Sequence, residues 1–89
     1  MKHATPAALA RLGAVLDRLR AVPGLIEKRP GVFYRKGRAF LHFHEDPKGL
    51  FADYRPQEDW LRLPVGTAAE QEALAAAVSG AAVYRRDTI

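Results

Sequence analysis

From Val32 to Leu63 apolar and polar residues alternate with a period of two, and three turn signals cut the run into short pieces. The breaks are Lys36-Gly37, Asp46-Pro47-Lys48-Gly49 and Pro56-Gln57-Glu58-Asp59, all rich in residues that supply turn geometry. They predict four strands at about 32–35, 38–45, 50–55 and 60–63, joined as an antiparallel meander. Register follows from loop length, because a slip of one residue sends every side chain to the opposite face. A two-residue loop at Lys36-Gly37 pairs Tyr34 with Ala39 and Val32 with Leu41. Four-residue loops at the other two breaks pair Phe43 with Ala52, Leu41 with Tyr54, Tyr54 with Leu61 and Ala52 with Leu63. All three loops then agree on one apolar face.

Helical signals flank this segment. Thr5 before Pro6 sets a capping hydroxyl ahead of a residue favoured at the first helical position, and Leu9, Leu12, Leu16 and Leu19 recur at helical spacing. A first helix is expected over 6–22, ended by Pro23-Gly24. Thr67 and Glu70 form the T-x-x-E capping box of a second helix over 68–79, with Leu74, Ala77 and Val78 as its apolar stripe and Gly80 as its stop. Residues 25–29 read either as an edge strand or as a loop, and the tail 84–89 reads as loose. The expected fold class is α+β, one domain, with both helices packed on the apolar sheet face.

Composition narrows the function classes. The absence of cysteine excludes a disulfide framework, a thiolate metal site and cysteine catalysis. The apolar runs are short and broken by Arg, Pro or Gly, so neither a transmembrane span nor a signal peptide is expected, and the chain reads as cytoplasmic. Fourteen Lys and Arg against ten Asp and Glu favour an anionic partner, although an arginine- and alanine-rich composition yields the same balance without one. Ser79 at a helix end and Thr5 and Thr67 as caps are poor nucleophiles, and no phosphate-cradling glycine loop occurs. No enzyme activity and no cofactor are expected.

The second sheet face is the informative surface. By the loop register it carries Phe33, Arg35, Arg38, Phe40, His42, His44, Phe51, Asp53, Arg55, Trp60 and Arg62. Aromatics and guanidinium groups are enriched at interface centres, so the leading reading is a homodimer formed through this face. A second is a single-strand nucleic-acid platform, with the aromatics stacking on bases and the arginines on phosphates. A third is a small-ligand or metal site, since the H-x-H of His42 and His44 beside Asp53 offers two imidazoles and a carboxylate. His3, near the chain end, is set aside as a ligand, and a structural hydrogen bond to Asp53 is the simpler role for the pair.

The stretch Pro30 to His44, followed by Gly49 to Arg55, resembles uncharacterised small bacterial proteins. Its aromatic strand, basic-glycine turn and aromatic second strand, within a helix, meander, helix order, also resemble the YjbR-type family, which implies DNA binding. The topology is similar to that of frataxin-like proteins, which bind iron through an acidic first helix. Here that helix carries Arg11, Arg18 and Arg20 with Asp17 as its acid, a departure from an iron-donor surface.

Overall fold

The computed structural model describes residues 2–80. The fold is α+β. In chain order the elements are β1 (Lys2–His3), α1 (Pro6–Arg11), α2 (Gly13–Arg20), β2 (Leu25–Arg29), β3 (Val32–Arg35), β4 (Arg38–Asp46), β5 (Gly49–Tyr54), β6 (Leu61–Pro64) and α3 (Ala68–Val78). The sheet runs β2-β3-β4-β5-β6, antiparallel throughout, and β1 adds to β4 beyond the end of β3. The four expected strands are therefore joined by two more. Residues 25–29 form a strand, and Lys2–His3 pair with Glu45 and His44. The expected loose tail, 84–89, lies outside the described residues.

The first helix is two helices. Thr5 caps it as expected, its Oγ1 accepting from the Ala8 amide at 3.3 Å. Both the Thr5 amide and its hydroxyl donate to Glu45 Oε1 at 2.8 Å, which fixes the helix start over the end of β4. The regular ladder stops at Leu12 (φ −103°, ψ 12°), whose amide bonds back three residues to Leu9. Gly13, a poor residue for a helix interior, follows at once. The break still leaves Leu12, Leu16 and Leu19 buried. The α3 capping box forms as expected, with the Glu70 amide donating to Thr67 Oγ1 and the Thr67 amide to Glu70 Oε1, both at 3.1 Å.

One buried cluster takes in residues of all three helices and a single face of the sheet: Phe33, Phe40, Leu41, Phe43, Leu50, Ala52 and Tyr54. The pairs expected between β4, β5 and β6 are all present. The β3–β4 hairpin differs. Its tip is as expected, with Tyr34 opposite Ala39 and positive φ at both Lys36 (54°) and Gly37 (79°), the signature of a two-residue hairpin turn. Beyond the tip the register shifts, so that Phe33 faces Leu41 and Val32 faces His42. The shift is a β-bulge that inserts Phe40 into β4 as an extra residue. Phe40 and Leu41, adjacent in sequence, are both buried in the core. Phe33 follows them, while Tyr34 and Ala39, expected in the core, line a groove with His42 and His44, and Val32, buried as expected, borders the same groove.

Arg20 ties α2 to the sheet. Its guanidinium grips Glu27 of β2 through two bonds, at 2.6 and 3.1 Å, and Glu27 Oε2 accepts from the Gly31 amide at 3.0 Å. Gly31 closes the β2–β3 turn with φ +76°, and a Cβ there would sit 2.8 Å from Leu9 Cδ2. Left-handed backbone costs a side-chain-bearing residue about 1–2 kcal/mol. Gly31→Ala is therefore expected to lower the unfolding free energy by about that amount in urea titration, with Leu9 yielding to the new methyl. An unchanged midpoint would show that the turn relaxes freely.

Candidate metal centre on the open sheet face

The face turned away from the helices is built by strand alternation. His42 and His44 lie two apart on β4, so they share a side. On β5, Asp53 stands opposite His42 and Phe51 opposite His44, and on β6 Arg62 stands opposite Asp53. On the other flank His3 of β1 stands opposite His44.

These side chains form a connected polar cluster. His42 Nδ1 lies 2.8 Å from His44 Nε2, which lies 3.0 Å from Asp53 Oδ2. Arg62 holds the carboxylate from outside, donating from Nε to Oδ1 at 2.8 Å and from its terminal nitrogen to Oδ2 at 2.9 Å. The His42 ring also meets Trp60 at 4.9 Å between centroids, and the Arg55 guanidinium lies 4.6 Å over that indole. Arg55 donates in addition to the Ala39 carbonyl. Burial holds the His42 imidazole below its ordinary value of 6.5, the neighbouring His44 adds to the effect, and Asp53 offsets part of it. The Arg62 hydrogen bonds hold Asp53 below the usual carboxylate range. Near neutral pH the cluster thus presents a neutral His42 and an ionised Asp53.

Proton counting exposes a shortage. His44 Nε2 carries at most one hydrogen and faces two partners. If that hydrogen goes to Asp53, His42 Nδ1 meets an N–H aimed elsewhere. If His42 Nδ1–H donates to a bare His44 Nε2, the second lone-pair-bearing atom, Asp53 Oδ2, is left opposite it with no hydrogen between. Three ligand atoms, one each from His42, His44 and Asp53, lie within 4.8 Å of one another. Ligand atoms around tetrahedral zinc are about 3.3 Å apart, given bonds of about 2.0–2.1 Å.

His42 and His44 line a groove of about 670 Å³ whose walls include His3, Leu9, Arg29, Val32, Tyr34 and Ala39. Six of the eleven residues expected on this face gather in one patch: His42, His44, Asp53, Arg55, Trp60 and Arg62. Phe51 shares it by register. Phe33 and Phe40 do not, because the bulge turns both into the core, where they are 0% and 5% exposed. Arg35 goes with Phe40, its guanidinium 5.3 Å over that ring, and Arg38 pairs with Arg35 at the hairpin tip and approaches Glu58 at 3.8 Å. A base-stacking platform on this face is thus left with Phe51 and Trp60, and Arg62 is committed to Asp53. Sequence reasoning missed His3, because two residues ahead of a helix carry no strand signal of their own. No helix among the described residues is long and apolar enough to cross a membrane. No family model, no curated protein and no solved structure matches the chain, so the YjbR-type and frataxin-like resemblances rest on the residues quoted for them.

Proposed function

We propose that the protein binds a divalent transition-metal ion, zinc being the simplest choice, through His42, His44 and Asp53. The observation that carries this reading is the convergence of three electron-rich atoms on a spot with one hydrogen too few. A cation satisfies all three at once. Two imidazoles and a carboxylate suit zinc, nickel or iron better than calcium or magnesium, which prefer all-oxygen shells. The site is a modest binder, for two reasons in its surroundings. Ligation through His44 Nε2 moves that ring's hydrogen to Nδ1, which is buried without a partner. Arg62 meanwhile competes for the carboxylate. Partners behind the ligands commonly change affinity by about 10–100-fold, so a lack of them weakens a site correspondingly.

The test is thermal melting and calorimetric titration with ZnCl2 and NiCl2 against chelator-treated protein. At 100 times the dissociation constant an ion that binds the folded state stabilises it by about 2.7 kcal/mol. For a chain of this size each kcal/mol moves the midpoint by about 4–8 °C. His42→Ala is expected to abolish both the shift and the heat. Superimposable melts with and without metal, and no heat, would end the proposal.

Self-association through the same face is a second reading, supported by the exposure of Ile26 (58%) and Trp60 (40%). Light scattering separates the two, because metal uptake by a monomer leaves the mass unchanged.

A further inference from the structure

We infer that His3 is the fourth ligand, so that ion binding fastens the N-terminal strand β1 to the sheet. This rests on the metal-binding reading above. The ligands would then come from three adjacent strands: His3 from β1, His42 and His44 from β4, and Asp53 from β5. His3 is the cross-strand neighbour of His44, and directly opposed residues place their Cβ atoms about 4.5–5.5 Å apart on one face. It also lines the same groove as His42 and His44.

Its backbone is pinned on both sides. Lys2 pairs with Glu45, the Ala4 amide donates to the Phe43 carbonyl at 3.1 Å, and Thr5 is bonded to Glu45. Only the imidazole has to move. His3 Nε2 lies 3.2 Å from the Pro30 carbonyl, an exposed contact that water can replace. Three nitrogens and one oxygen complete the tetrahedral set zinc prefers, and a site with four protein ligands is closed, as structural zinc sites are. With His3 withdrawn, one coordination position opens to solvent. His3 therefore decides whether the ion is sequestered or accessible.

The experiment compares wild type, His3→Ala and His42→Ala by calorimetric titration with zinc, by visible absorption of the Co2+-substituted proteins, and by hydrogen exchange at the Ala4 amide. His3→Ala is expected to weaken zinc binding about tenfold or more, and to shift the visible absorption of the cobalt protein as water takes the place of an imidazole. Zinc should slow exchange at Ala4 in the wild type and leave it unchanged in His3→Ala. Wild-type affinity and an unaltered cobalt spectrum in His3→Ala, with binding lost in His42→Ala, would overturn the role of His3 while leaving the site intact. Absence of binding in the wild type itself would remove the site and this inference together.

Discussion

Phe33→Ala is expected to destabilise the protein by about 3–5 kcal/mol, whereas Tyr34→Ala should cost about 1 kcal/mol. Phe33 is fully buried against Leu41 and the helices, so truncation leaves a cavity that close-packed neighbours fill only in part. Tyr34 lies half-buried on the open face, with Lys28 Nζ 5.4 Å from its ring centroid. In a regular hairpin extended from the same turn the order would be reversed, with Tyr34 in the core and Phe33 outside. Urea unfolding of the two variants therefore reads the bulge directly. Phe40 gives an independent check. Its ring meets Tyr54 edge-on at 5.4 Å and 86° and is 5% exposed, so Phe40→Ala is also expected to cost about 3–5 kcal/mol. Equal losses at Phe33 and Tyr34, or a Phe40→Ala protein of unchanged stability, would contradict the shifted register.

Zinc affinity should be nearly flat near neutral pH and fall once the pH drops below the folded value of His42, itself under 6.5, by about tenfold per pH unit for each proton the metal must displace. The sign follows from His42. Burial holds its folded value below 6.5, so the imidazole sheds its proton early and is ready as a ligand at neutral pH. The same shift acts on the metal-free fold. The unfolded chain takes up this proton near 6.5 and the folded chain only at lower pH, so the unfolded state binds more protons in that window. The stabilising contribution is complete above 6.5, declines as pH falls toward the folded value, and is constant below both. His42→Gln should flatten this component in chelator-treated protein. Zinc titrations carried down in pH to the edge of the folded range that return one affinity throughout would show that His42 does not ligate the ion.

The readable parts of the chain were those where alternation and turn chemistry agreed. Asp46-Pro47-Lys48-Gly49 and Pro56-Gln57-Glu58-Asp59 set the register of β4, β5 and β6, where His42, His44, Asp53 and Arg62 alternate with apolar residues and mark the outer face. Around the first turn that contrast disappears. Val32-Phe33-Tyr34 and Ala39-Phe40-Leu41 are each three apolar residues in a row, so either parity presents a plausible core face. Packing then chose the arrangement that buries Phe33, Phe40 and Leu41 together and leaves the smaller Val32 and Ala39 for the groove. Consecutive apolar triplets on both sides of a two-residue turn were the available sign that one strand carries an extra residue. The H-x-H pair and Asp53 could be placed in advance because they lie on the unambiguous strands. His3 could not, since β1 exists only because the edge of β4 past β3 is vacant to receive it.

Among the described residues β2 and β6 are the outer strands, and each spoils its own hydrogen-bonding rim. The β2 ladder is irregular between Glu27 and Arg29, with the charged Lys28 at the defect, and β6 carries Arg62 and ends on Pro64, which has no amide to donate. Polymerisation by adding strand to strand thus lacks a regular template at either end.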